Sequence, residues 1–532
     1  MHTAPFRFLT RRSVSMSLNG MVATSQPLAA MAGLRILMQG GNAVDAAVAT
    51  AAALNAVEPV STCAGGDAFA LTYVAKTGAI TALNASGRAP KAQSLGAMRR
   101  GGHAAMPTHG GLTVTVPGAV AGWADIVKRH GSMPLGEVLK PAIGLAEHGF
   151  PVSEVIAGQW HSLEQRAAQF PTLAQAYLID GRAPRPGEVF KNPALARTLH
   201  AIAEGGPDAF YCGPIAESIV RVVQENSGLM TAEDMAAHVS TWDEPIRTDY
   251  HGATIVECPP NGQGIIALET LNILEGFDLQ AMRYGSAAYY HHLLEAIKLA
   301  FVDAQTYVGD PRVAHVPTAG LLDKAYAAKR RQSIDSKRAA SPAVPGRPRD
   351  GTVYLSVIDR DRSACSFINS NYMGFGSGLA AEGVALQNRG ALFSLEEGHP
   401  NCIAPGKRPY HTIIPALALK QDALWMSFGV MGGFVQPQGH VQVVCNMVDF
   451  GMNPQQALDA PRAIWDDGAR VDLEDGIGDG VRAALAAMGH LLMLQDDPRR
   501  YYGGGQIVAI DENSGALLGG TEPRKDGVAI GY

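Results

Sequence analysis

Long apolar runs are missing from this sequence. No window of about 20 uninterrupted apolar residues occurs in its 532 positions, which argues against a membrane-spanning helix. The first twenty residues carry basic side chains but no continuous apolar stretch and no small-residue cleavage site, so a soluble, cytoplasmic protein is expected. Neither sign of charge dominates. The 43 Lys and Arg oppose 49 Asp and Glu, and a net charge of −6 is too mild to point to nucleic acid or an anionic membrane as partner. Cysteine is sparse and scattered. Cys63, Cys212, Cys258, Cys365, Cys402 and Cys445 form no CxxC and no Cys–His spacing suited to zinc, and each is expected as a buried, reduced thiol. No metal-ligand cluster stands out and no cofactor is implied. Gly503–Gly505 opens a strand rather than a helix, so it lacks the helix N-terminus that a phosphate loop needs. Asp496 with Asp497, and Glu396 with Glu397, read as solvated faces rather than acid/base pairs.

What is present is an ordinary globular composition, 47% hydrophobic and 17% charged, long enough for one large interlocked unit. Pro27 to Val57 is Ala-rich with helical spacing. The break at Gly40-Gly41 predicts two closely packed helices, the second capped by Asn42. Strands are expected at Ala68–Val74 and Leu112–Val116, and residues 119 to about 335 read as largely helical, most clearly Tyr289–Tyr307. The stretch from Ser341 to Gly351 holds three prolines and reads as an exposed linker. The pattern then changes. Thr352–Ile358, a turn at Asp359–Ser363 and Ala364–Ile368 form a hairpin; further strands are expected at Ile413–Leu419, Leu424–Phe428 and Gln506–Ile510, and a helix at Pro437–Val448.

A threonine opening a strand is ordinarily just a β-branched strand former. The wider sequence gives Thr352 another meaning. Nine blocks occur in a fixed order: residues 28–49 (LAAMAGLRILMQGGNAVDAAVA), 116–123 (VPGAVAGW), 131–153 (GSMPLGEVLKPAIGLAEHGFPVS), 259–264 (PPNGQG), 295–311 (EAIKLAFVDAQTYVGDP), 350–367 (DGTVYLSVIDRDRSACSF), 374–378 (GFGSG), 406–415 (GKRPYHTIIP) and 431–440 (MGGFVQPQGH). Together they resemble the γ-glutamyltranspeptidase family. The resemblance implies an α+β fold, the four-layer αββα sandwich of N-terminal-nucleophile hydrolases, made as one inactive chain that cuts itself. Here the cut falls between Gly351 and Thr352. It yields a large subunit of residues 1–351, with the Pro-rich linker at about 336–351, and a small subunit of residues 352–532; the two stay associated, and further homo-oligomerisation is left open.

The chemistry suits that position. A threonine hydroxyl is a poor nucleophile unless a base sits beside it. Once cut, Thr352 supplies the base from its own α-amino group, whose reference pKa is about 7.7. Gly351 has no side chain to obstruct attack on its carbonyl. By position in the family pattern, Ser370 is the hydroxyl that hydrogen-bonds the nucleophile, Gly432 and Gly433 supply the N–H groups of the oxyanion hole, and Asn388 lies on the strand beside the substrate.

The resemblance fails where the family grips the amino-acid end of a γ-glutamyl group. Its arginine position is Ser86, with Arg88 two residues on. Its aspartate position is Leu392, its serine pair is His411-Thr412, its asparagine is Tyr372, and the glutamine before the aspartates is Arg389. Leu392 cannot receive an ammonium group. Cationic candidates remain in Arg389, His411 and Arg88, although Arg389 is equally readable as a surface ion-pair residue. An anionic amide without an α-amino group is therefore expected, and the pattern looks like the branch containing oxamate amidohydrolase. A γ-glutamyltransferase or glutathione hydrolase, a relative of cephalosporin acylase, and a processed but inactive binding protein are the rival readings.

Overall fold

A computed structural model describes residues 12–342, 351–493, 495 and 501–532. Two seven-stranded sheets form its centre, and neighbouring strands within each run antiparallel. The first runs in the order Val528–Gly531, Met21–Thr24, Gly351–Ile358, Ala364–Tyr372, Asp67–Val74, Ala79–Ala85, Thr241–Asp243. The second runs Ser15–Ser17, Leu517–Thr521, Gly504–Ile510, Ala423–Met431, Ala416–Lys420, Ala253–Glu257, Ile246–Tyr250. They pack face to face over fully buried side chains such as Phe69, Leu71, Tyr354, Ile368, Leu417 and Val508. Strands covered on both faces read as near-continuous apolar runs, and Asp67–Val74 (DAFALTYV) does so.

Helices cover both outer faces and complete the four layers. Ala43–Val57 lies against the first sheet with every residue buried. Asn42 caps it, accepting from Val44 N and Asp45 N, while the Asp45 side chain accepts from Asn42 N. Small side chains let its partner Pro27–Met38 approach closely: a Cβ built on Gly33 would fall 2.1 Å from Thr50 Oγ1. Gly264–Leu274 and Val435–Val448 line the second sheet, and Ala287–Tyr307 packs on Gly264–Leu274. The α+β sandwich expected from the sequence is thus present. No helix among the described residues is long and apolar enough to cross a membrane.

Several local expectations are corrected. Leu112–Val116 is no strand: Gly111–Thr113 is a 3-10 turn, and Val116 N instead donates to Arg88 O. The largely helical stretch before residue 335 also contains Thr241–Asp243, Ile246–Tyr250 and Ala253–Glu257, which serve both sheets. Cys212 is exposed at the end of a short helix and Cys402 is half-buried, while the other four cysteines are buried; all six are free thiols. The expected linker lies, from 343 to 350, outside the described residues. Its approach, 336–342, is irregular but tied down: Ala339 N donates to Met488 O, and Ala340 bonds both Glu295 and Lys298.

One buried carboxyl carries a stability prediction. Glu58, which follows the Ala43–Val57 helix, is fully enclosed and bonded to Ser25 Oγ at 2.6 Å; burial pushes its pKa from 4.5 up to about 7. The folded state then holds a proton that the unfolded chain releases above its lower pKa. This contribution is fully present below pH 4.5 and is lost as pH rises through 7. Glu58→Gln should flatten that window. The thermal midpoint of the variant relative to wild type should rise between pH 5 and pH 8, by an amount on the order of 3 kcal/mol in stability. A difference that does not change with pH would refute the assignment.

Candidate active site

Thr352 opens the central strand Gly351–Ile358 of the first sheet, and its register explains its exposure to chemistry. Gly351 pairs with Tyr372 and Val353 with Asn369, so the ladder slips by one residue at Thr352. Such a bulge re-aims a side chain. Thr352 is 2% exposed, and its Oγ1 lies 3.1 Å from Ser370 Oγ on the neighbouring strand. Ser370 Oγ also accepts from Tyr372 N at 2.9 Å and from Arg389 Nη2 at 3.1 Å. A hydroxyl has two lone pairs and one proton. Either hydroxyl can donate in the contact to Thr352; with N–H donors on two of its sides, Ser370 is able to turn its own proton toward Thr352 Oγ1. That orientation stabilises negative charge on the threonine oxygen.

Arg389 begins the 3-10 turn Arg389–Leu392 and is fully buried, which removes the reading of it as a surface ion-pair residue. Its Nη1 donates to Thr412 Oγ1 at 2.7 Å, and its guanidinium carbon stands 4.7 Å from the Tyr372 ring centroid. Tyr372 takes φ +77 at the strand end, which turns its ring toward that cation. Asn388, just before the turn, bridges Met373 N and Thr108 O.

The two other cationic candidates behave differently. His411 Nδ1 accepts from Ile413 N at 3.3 Å, so the ring proton sits on Nε2 and is donated to Asp67 Oδ2 at 3.0 Å. Burial, and then the charge of Arg389, push its pKa down to about 3. The contact is therefore a neutral imidazole on a carboxylate, and His411 offers no positive charge to an anion. Arg88 is partly exposed and donates to Val239 O at 3.3 Å. It lines a separate cavity of about 50 Å³ with Lys91, Asp234 and His238. Ser86, at the family's arginine position, is held by Asn84 and Asn261, and Leu392 is half-buried with its carbonyl on Asn401.

Gly432 and Gly433 connect the strand Ala423–Met431 to the helix Val435–Val448. Their φ values, +125 and +57, lie where side chains are strained, and a Cβ on Gly432 would meet Gly503 Cα at 3.0 Å. Among the described residues neither N–H has a hydrogen-bond acceptor. Both stand at the positive end of a 14-residue helix, the setting in which developing negative charge is stabilised.

Three buried residues were not singled out by sequence reasoning. Asp67 accepts from Gly87 N, Gln387 Nε2 and His411 Nε2. Arg408 holds the Ser86 and Asn84 carbonyls and stays cationic at neutral pH, burial lowering it to about 9. Gln263 donates to Thr412 O and Gly433 O. Its motif, PPNGQG, was visible, but nothing local marks the glutamine as a bridge.

Away from this site, His291, Glu295 and His490 come within 4.8 Å of one another, a set of ligand-type side chains that their spacing in the sequence does not reveal. Most of their polar atoms are already engaged, His490 Nδ1 being the exception among the described contacts. His291 and His490 hydrogen-bond each other at 2.9 Å, His291 Nε2 bonds Asp335 O, and Glu295 is ion-paired to buried Lys298 at 2.7 Å. The group serves to pin the segment approaching residue 342.

Comparison with known proteins accords with this architecture. A model of the gamma-glutamyltranspeptidase family matches residues 29–532. The glutathione hydrolase-like YwrD proenzyme of Bacillus subtilis is 40% identical over 96% of this chain and 98% of its own. The oxamate amidohydrolase proenzyme of Klebsiella pneumoniae is 34% identical over 98% of this chain and 100% of its own. The crystal structure of a cephalosporin acylase from Bacillus halodurans superposes with a TM-score of 0.94 at 44% identity, covering 100% of this chain and 99% of that one. The chain belongs to the gamma-glutamyltranspeptidase family, enzymes of the N-terminal-nucleophile fold that are made as proenzymes and act on amide bonds.

Proposed function

We propose that the chain cuts itself between Gly351 and Thr352, and that the freed Thr352 hydrolyses a small carboxylate-bearing amide, oxamate first among them. The observation that carries this reading is the buried Arg389, one hydrogen-bonded hydroxyl away from the nucleophile. Two links of 3.1 Å, Thr352 to Ser370 and Ser370 to Arg389, hold Nη2 within 6.2 Å of Oγ1. A carboxylate seated on that guanidinium lies close to the carbonyl under attack, which favours an acyl group as short as oxamate's.

In the cut enzyme the α-amine of Thr352 takes the hydroxyl proton, and Oγ1 adds to the amide carbonyl. The oxyanion is received by the N–H groups of Gly432 and Gly433, while Ser370 supports Oγ1. Collapse transfers the proton to the leaving amine, so that oxamate would release ammonia and leave an ester on Thr352. Water, deprotonated by the same amine, then releases oxalate. No step calls for a cofactor. Leu392 in place of the ammonium-accepting aspartate, and Ser86 in place of the arginine that grips the α-carboxylate, weigh against a γ-glutamyl donor. A second reading, an acylase for a longer carboxylate-bearing acyl group, is supported by the 44% identity to the cephalosporin acylase.

Intact mass and N-terminal sequencing should give a small chain beginning Thr-Val-Tyr-Leu, followed by ammonia release from oxamate. Turnover of a γ-glutamyl anilide or a cephalosporin instead, with oxamate inert, would transfer the assignment to a rival. A cut protein inert toward all three would favour a binding protein.

A further inference from the structure

Two parts of the site, the Gly432-Gly433 turn and the segment of His411 and Thr412, are joined by one side chain outside both. Gln263 is fully buried at the start of the helix Gly264–Leu274. Its Nε2 donates to Thr412 O at 2.6 Å and to Gly433 O at 2.8 Å, and its Oε1 accepts from Tyr410 Oη at 3.2 Å. Its own backbone N donates to His411 O at 3.0 Å. Both amide protons are thus committed to carbonyls on two different segments. Thr412 in turn receives Arg389, which contacts Ser370 and through it Thr352. The bonded path runs unbroken from nucleophile to oxyanion glycines.

We propose that Gln263 is a positioning residue that fixes the Gly432-Gly433 turn in its oxyanion-binding orientation and locks it to the segment that carries Thr412. The physical need is specific. Two successive glycines at φ +125 and +57 have no side chains to hold them, and glycine moves freely among backbone states. The Gly433 carbonyl has a second, longer contact from Gln436 N at 3.3 Å, so the 2.8 Å bond from Gln263 is the firmer restraint. Pre-organised donors are effective because they need no rearrangement as charge develops. The inference rests on the self-cutting reading above, since attack on the Gly351 carbonyl requires the same oxyanion stabilisation as attack on a substrate.

The test uses self-cleavage, which needs no known substrate. The full chain is made by cell-free synthesis, and the first-order rate of fragment appearance is followed from pH 5 to pH 9. Gln263→Met keeps the length and removes both donors; cleavage should slow at least tenfold. Gln263→Glu places an acceptor against two carbonyls but regains one donor when protonated. Its rate relative to wild type should climb as pH falls, a dependence that a purely structural defect would not give. A Gln263→Met chain that cuts at the wild-type rate overturns the proposal. Should that variant fail to fold, a pH-independent ratio for Gln263→Glu overturns it instead. A wild-type chain that never cuts overturns the underlying reading of Thr352, which separates the two failures.

Discussion

Thr352→Ala leaves one uncut chain of full mass and no measurable turnover. On the proposed reading the hydroxyl is the attacking group both for cleavage and for catalysis, and Ser370 beside it is committed to Arg389, the Tyr372 amide and Thr352 itself. Removing a nucleophile from an assembled site lowers kcat by roughly four orders of magnitude or more. Thr352→Ser keeps the hydroxyl and should still cut, more slowly, because serine lacks the methyl that restricts χ1. Mass spectrometry of purified protein reads both results. A Thr352→Ala chain that still splits at residue 351 would remove Thr352 as the nucleophile.

Arg389→Leu weakens catalysis next most strongly. Hydrogen bonds to a charged group contribute about 1.5–3 kcal/mol, and the guanidinium makes two described ones, to Thr412 and Ser370. For an anionic amide, KM should rise and kcat/KM fall by about 100-fold, on the order of 3 kcal/mol. A neutral amide should lose far less, because only the support of Ser370 is removed. The ratio between the two substrates is the reading that matters. Equal losses for both would take Arg389 out of anion recognition and leave it a structural cation.

The layers were legible in the sequence because the local signals agree with the global ones. The Gly40-Gly41 break, the Asn42 cap and the Ala-rich run place the first helical hairpin where it is found. Apolar strands flanked by turns mark the hairpin that bears Thr352 and Ser370. Motif order then directed the proposed oxyanion-hole assignment to Gly432 and Gly433. Charge state was not legible. His411 reads as a cation candidate until burial and its two partners, Ile413 N and Asp67, fix it neutral. Arg389 and Arg88 look alike in one dimension; only the fold encloses one and turns the other toward Val239. Asp67 and Gln263 could not be paired in advance because, Gly87 apart, the partners described for them are more than 140 residues away.

The strand order has a consequence for the life of the molecule. In the first sheet, Met21–Thr24 lies between Val528–Gly531 and Gly351–Ile358, and Ala364–Tyr372 pairs with Asp67–Val74, so pieces from both sides of residue 351 alternate within one hydrogen-bonded surface. Before a cut, recovery from denaturation is a first-order event within one chain. After a cut, the same surface must be rebuilt by two molecules that have to find each other, and its recovery becomes second order. Dilution would then lower the yield of renatured cut enzyme while leaving the yield of an uncut Thr352→Ala chain unchanged. The scissile bond would thus act as a one-way latch: the chain folds once while continuous, and what holds it afterwards is the slowness with which its interleaved strands come apart.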